Sequence, residues 1–451
     1  MSIRPKLFGF AGLAAVAALV LAGCAPSSST TNGSAVAPAF DPNQKVEIVF
    51  ESYNLASGTW KEPILSLIKK FETEHPNVHV IPQANGDSTA AGGTAASVQR
   101  QIVAGHPPDV VQLTFDTLSY AVSDLHAQPL NKLYGQDAIT EHLTGEYPMH
   151  EKVRNFGVVD GDTYGIPYVL STPILWYNKT ALADAGITHP DFSTWDSVAE
   201  IAKKVSAKTG KPSFSNSCLD GIGEWCYQSM VRSASGRVLS EDRSTIKAGE
   251  PDAVKPLKSM QDLYKSGALQ NAGFNDQYEG FAAGTTQMHI NSASLQAAFQ
   301  AGAKAGGWEL AAAPMPGLKG HNVVPTSSGS MLSVFTQDPK KQAAAWEFTK
   351  FMTSPAAYEV ISPQIGYLPL RTSMTKGGGP LAEWATKQAD LLNPNLTQLE
   401  AIEPWTSYPG KNYVQISTII MDAVEQVAYQ DADPEATMAD AAARAQELVK
   451  K

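Results

Sequence analysis

Positive charge is the scarcer sign in this sequence. Its 451 residues hold 34 Lys+Arg against 44 Asp+Glu, a net charge of −10. Binding a phosphate backbone needs clustered positive charge, so no nucleic-acid partner is expected. Charged residues of both signs amount to 17% and hydrophobic residues to 43%, which argues against a disordered or fibrous chain. No apolar stretch after residue 30 approaches the ~20 residues that a membrane-spanning helix requires. There is no internal repeat and no heptad. Cysteine is nearly absent, at three residues. The chain also lacks His-Glu-x-x-His, Gly-x-Ser-x-Gly and a phosphate-cradling P-loop. His75 and His79 have metal-like spacing, but Pro76 disfavours the helix that would align their rings. No metal, no cofactor and no catalytic residue is expected.

What is present starts with an address label. Arg4 and Lys6 form a positive n-region, Leu7 to Leu21 is apolar, and Leu21-Ala22-Gly23-Cys24 follows. This reads as a secretory signal peptide over 1–23. The tetrapeptide resembles a bacterial lipobox, which implies lipidation of Cys24 and anchoring at the outer face of the cell membrane. Cutting before Cys24 removes 23 residues and two positive charges, leaving 428 residues at net −12. Residues 24–44, rich in Ser, Thr, Ala and Pro, read as a flexible tether. The remaining pair, Cys218 and Cys226, sits in an exported chain, so a local disulfide is expected.

The mature length suits two or three domains. Lys45–Phe50, Val78–Pro82 and Val110–Leu113 read as strands. Between them, Thr59–Glu74 carries apolar residues at helical spacing (Trp60, Ile64, Leu65, Ile68, Phe71), and Ala95–Ala104 is a second helix. Strand and helix alternating in this way indicate a parallel α/β sheet. Asp160-Gly161 supplies the positive φ angles of a tight hairpin turn. Asn178 is placed to cap a helix, and Asp433-Pro434-Glu435 to start the last one. Met288-His289-Ile290 is a strand opening onto Asn291-Ser292-Ala293-Ser294, and Met331–Phe335 is another strand.

Taken in order, these motifs resemble the extracellular solute-binding proteins of ABC importers. The matching pieces are Gly105-x-x-Pro108-Asp109, Asp160-Gly161-x-x-Tyr164-Gly165-Ile166-Pro167 and Ser171-Thr172-Pro173 running to Tyr177-Asn178-Lys179. Phe281-x-x-Gly284, Trp346-Glu347-Phe348, Ser354-Pro355 and Gly366-Tyr367-Leu368-Pro369 complete the set. The pattern looks most like the glycerol-3-phosphate/glycerophosphodiester- and sugar-binding branch. The resemblance implies a two-lobed, maltose-binding-protein-like α/β fold of the periplasmic-binding-protein type, with a hinge and a ligand cleft. It divides the chain into 45–170 with 291–335 as lobe 1 and 171–290 with 336–451 as lobe 2. Crossings between lobes are expected near Leu170–Pro173, Ile290–Asn291 and Phe335–Asp338. Implied partners are a small-molecule ligand and the transmembrane permease subunits, and a monomer is expected.

A cleft for a polyhydroxylated ligand needs hydroxyl and amide partners and an aromatic face. Carried over by position, the resemblance selects Ser171, Ser292, Ser294, Gly329 and Tyr367, with Trp225 covering the ligand. Tyr53 and Asp116, each just after a strand, suit the cleft rim. The serines have capping as an alternative role, Gly329 a turn, and Trp225 and Tyr367 a place in the core. Where the branch uses Arg for phosphate, Tyr408-Pro409-Gly410-Lys411-Asn412 offers only Lys411, which lacks the bidentate fork. An enzyme is the rival reading. Ser66-Leu67-Ile68-Lys69 and Lys208-Thr209-Gly210 match two penicillin-binding motifs, but no Ser-x-Asn occurs from 67 to 207. A lipid-anchored glycoside hydrolase needs only two carboxylates placed by the fold, so it stays open at this level.

Overall fold

A computed structural model of the chain describes residues 36–56, 58–84 and 93–449. Cys24, the expected signal peptide and the first part of the expected tether lie outside them. The end of that tether is not free. The Ala37 amide donates to the Leu133 carbonyl at 2.9 Å, and Phe40 meets His75 edge-on at 5.5 Å.

The strands are β1 (Val46–Ser52), β2 (Val78–Ala84), β3 (Val110–Thr114), β4 (Val158–Val159), β5 (Asp162–Thr163) and β6 (Ile166–Ser171). After them come β7 (Pro173–Asn178), β8 (Phe214–Asn216), β9 (Met288–Ser292), β10 (Leu310–Pro314) and β11 (Ser328–Val334). They form two main sheets, ordered β2-β1-β3-β11-β6 and β10-β7-β9-β8. In the first, β1 runs parallel to β2 and β3, as the alternation of strand and helix predicts. β11 is antiparallel to both β3 and β6, so the sheet is mixed. The second sheet is antiparallel except for β8 beside β9.

Local signals hold where they are strongest. Asp160 and Gly161 have φ of 50° and 86° in the β4–β5 turn. The Asn178 side chain accepts from the Ala181 amide at 2.9 Å and starts helix Lys179–Asp184. Asp433 does the same for Ala436 at 2.8 Å ahead of Pro434–Val449. Helix Gly58–Glu74 buries Ile64, Leu67, Ile68 and Phe71. Phe71 meets Phe348 at 5.1 Å, and Phe348 meets Phe50 of β1 at 5.0 Å, so this helix and β1 share one core.

The expected lobe boundaries need two corrections. At the first expected crossing, β6 ends the first sheet at Ser171, β7 opens the second at Pro173, and buried Thr172 between them donates to Asn395 Oδ1 at 2.9 Å. Near Ile290–Asn291, however, the chain does not leave the second sheet. It stays there through β10, whose partner is β7, and reaches the first sheet again only at β11. No crossing occurs near Phe335–Asp338 either, because helix Pro339–Met352 seats Phe348 on β1. Later helices turn to the second sheet. Helix Ala389–Gln398 places the Gln398 side chain against the Met315 amide at 3.0 Å, just past β10.

Cys218 and Cys226 are bonded across Cα atoms 4.6 Å apart. The bond ties the turn after β8 to helix Glu224–Ser233, whose first residues include Trp225. A closed loop this short stabilises by roughly 2–3 kcal/mol.

Candidate functional site

Ligands of α/β sheets sit outside the carboxyl ends of the strands. Tyr53 directly follows β1, and Asp116 lies two residues past the end of β3. Ser171 ends β6, Ser292 ends β9, and Gly329 stands at the adjoining end of antiparallel β11. These ends enclose a cavity of about 230 Å³, and eight of the nine expected ligand residues line it. They are Tyr53, Asp116, Ser171, Trp225, Ser292, Ser294, Gly329 and Tyr367. Residues of both main sheets therefore face one space.

Lys411 is the exception. It is exposed and does not line the cavity. Gly410 turns the backbone at φ 76° on the surface, and helix Tyr413–Tyr429 then presents Tyr413, Val414 and Ser417 to the cavity instead.

On one side lies a cluster of hydroxyls. The Ser292 hydroxyl donates to Ser171 Oγ at 2.7 Å and lies 2.7 Å from Ser294 Oγ. Ser292 also accepts from the Ser294 amide at 3.1 Å, capping the 3₁₀ turn Ala293–Leu295. Capping and cavity lining are thus compatible. The same bond occupies the Ser294 amide, so that helix start has one fewer donor for an anion. The aromatic face is built by Tyr367 and Trp60, with ring centroids 6.0 Å apart. The Tyr367 hydroxyl donates to Asn54 Oδ1 at 3.4 Å, while Asn54 Nδ2 has no partner.

Among the described residues two buried carboxyls also line the cavity. Burial pushes Asp116 up to about 6, against bonds from Thr114 and its own turn that lower it. Its Oδ1 has no hydrogen-bond partner. Glu224 is pushed up to about 7, first by burial and further by the charge of Asp116. Both Glu224 oxygens are engaged: Gln228 Nε2 donates to one at 2.5 Å and Trp405 Nε1 to the other at 2.6 Å.

Sequence reasoning overlooked Trp60, Glu224 and Trp405. Trp60 was counted on the core face of its helix, and Trp405 sits in a stretch without period. Glu224 had a usable signal, since it adjoins Trp225 inside the disulfide loop.

The Asp116 shift fixes a sign. A carboxyl whose native value exceeds its unfolded value binds more protons when folded, so native stability falls as pH rises from about 4 through about 6. Asp116→Asn removes that slope. Relative to wild type, the variant should therefore gain stability progressively from pH 4 to about pH 7 and then level off, by on the order of 3 kcal/mol in all. Parallel melting curves across this range would show that Asp116 does not titrate as its burial implies.

Comparison with known proteins gives this geometry a setting. The sequence profile of a family described as bacterial extracellular solute-binding protein matches residues 66–391. The multiple sugar-binding protein of Streptococcus mutans is 22% identical over 374 residues, 78% of this chain and 80% of that one. The sn-glycerol-3-phosphate-binding periplasmic protein UgpB of Pectobacterium atrosepticum is 22% identical over 87% of this chain and 89% of that one. Among solved structures, UgpB from Mycobacterium tuberculosis in complex with glycerophosphocholine superposes with a TM-score of 0.76 at 20% identity, over 90% of this chain and 98% of that one. That last likeness establishes the maltose-binding-protein-like, two-lobed α/β fold. No helix among the described residues is long and apolar enough to cross a membrane. A profile covering most of the chain, around a cavity built at the strand ends, places it in a transport family whose members bind solutes rather than transform them: the chain belongs to the bacterial extracellular solute-binding proteins.

Proposed function

We propose that the cavity captures a small polar, polyol-type solute, a glycerophosphodiester, a glycerol phosphate or a sugar, and that the chain hands it to the permease of an ABC importer. The observation that carries this reading is the convergence of the Ser171–Ser292–Ser294 hydroxyls and the Tyr367–Trp60 face on one space. Hydroxyls fix the orientation of a polyol, and rings cover its C–H surface. The relatives named for multiple sugars and for glycerol-3-phosphate support the same class. A thermal-shift screen of glycerophosphodiesters, glycerol-3-phosphate, mono- and oligosaccharides tests it, because a ligand of the folded state raises Tm by mass action. A flat response across that panel would refute the reading.

Within the panel, glycerol-3-phosphate is the weakest candidate. The described lining offers two carboxyls and no Lys411, and net charge −10 gives a dianion no long-range help.

Delivery to a permease works best from the membrane surface, and the lipobox-like Leu21-Ala22-Gly23-Cys24 supplies the anchor in this proposal. Cys24→Ser should leave the chain either uncleaved or released into the medium. A correctly processed variant that still fractionates with membranes would show that Cys24 is not the anchor.

A further inference from the structure

The cavity has an unbalanced charge. Asp116 and Glu224 both line it, at 9% and 3% exposure, and no described lining residue is Lys, Arg or His. Resting on the reading of this cavity as the solute site, we infer that the solute it is built for carries a positively charged amine, held by the Asp116 and Glu224 carboxylates and the rings beside them.

Each part of the lining supports this. Glu224 already accepts one bond on each oxygen, from Gln228 and from Trp405, so about half of its acceptor capacity is taken by the protein. It also projects charge. Asp116 has a buried Oδ1 with no partner at all, in a chain where most buried polar atoms are bonded. Two acids facing one low-dielectric space repel each other, and Asp116 indeed raises Glu224 through its charge. A cation between them offsets that repulsion, whereas a neutral polyol does not. Trp225, Trp405, Tyr53 and Tyr413 also line the space, and the faces of such rings attract ammonium groups.

Among the described residues no cation already fills the role. Arg232, two turns along the helix from Glu224, pairs with Glu403 and with Thr406 Oγ1 at 2.7 Å. Arg243 donates to Ser119 Oγ at 2.9 Å and to the Ser407 carbonyl at 2.7 Å. The phenols facing the acids, Tyr53, Tyr408 and Tyr413, are all pushed upward by burial and stay neutral.

The test uses two pairs that differ in charge, the first of them isosteric. Calorimetry at pH 7.5 would compare glycerophosphocholine with its 3,3-dimethylbutyl analogue, in which a tert-butyl group replaces trimethylammonium, and glucosamine with glucose. The charged member of at least one pair should bind tenfold or more tighter. Asp116→Asn should reduce that preference to threefold or less. In case this variant folds poorly, the wild type serves alone: its preference should shrink from pH 7.5 to pH 5, as both acids protonate. If a neutral member binds as well as its charged partner in both pairs, the inference falls while the solute-site reading stands. If neither these four nor any sugar or phosphodiester binds, both fall.

Discussion

Tyr367→Ala is expected to weaken solute binding by about 30-fold or more. The ring is 4% exposed, lines the cavity and stands 6.0 Å from Trp60. Truncation removes an aromatic wall from the centre of the site, where such residues contribute about 2 kcal/mol or more, and each 1.4 kcal/mol is tenfold in affinity. Tyr367→Phe separates the wall from the hydroxyl. It keeps the ring and loses the hydroxyl's 3.4 Å bond to Asn54 and its interaction with Tyr53, each worth about 1 kcal/mol, so a loss of a few-fold is expected. Lys411→Ala should change affinity less than twofold, because that side chain is exposed and outside the cavity. Isothermal titration of the three variants, each checked for an intact melting transition, decides the matter. Abolished binding in Lys411→Ala beside a silent Tyr367→Ala would mean an anion site elsewhere on the surface.

The contrast between these residues shows what a sequence can reveal about a site. Tyr367 was legible because it sits in Gly-Tyr-Leu-Pro, a short motif whose backbone is constrained at both ends. Ser171 and Ser292 were legible because each terminates a strand, and strand ends are where α/β folds place their ligands. Lys411 was misplaced because its position rests on a surface turn, where neither period nor packing fixes which residue faces inward. Trp60, Glu224 and Trp405 stayed hidden for another reason. Local periodicity cannot tell a residue that faces a core from one that faces a cavity within it. Topology divides in the same way. The parallel β2-β1-β3 core followed from strand–helix alternation, but β10 and β11 pair with strands far away in sequence. Their sheet membership is set by long-range packing, such as Phe348 on Phe50, which leaves no local trace.

Gly329→Ala is expected to damage both stability and binding. Gly329 holds φ of +127°, a conformation that L side chains rarely adopt. A Cβ there would stand 2.1 Å from the Val169 carbonyl oxygen and 2.8 Å from Leu170 Cα. Those atoms belong to β6, the strand paired with β11, and the pairing register shifts at the very next residues, Ser330 and Met331. Rotating a side chain cannot relieve a clash between Cβ and backbone, so the two strands must separate. Strain of this kind together with lost strand pairing places the variant in the severe class, a loss of roughly 3 kcal/mol or more. The displacement falls where Ser171 and Ser328 enter the cavity, so the hydroxyl cluster around Ser292 loses its geometry too. Ser328→Ala is the control: it adds no Cβ and should lower affinity modestly without moving Tm. The decisive measurements are Tm and solute affinity for the pair. If Gly329→Ala melts with wild-type Tm, the close approach to β6 is not what this glycine serves. If it melts low yet binds normally once folded, the glycine shapes the sheet and not the cavity.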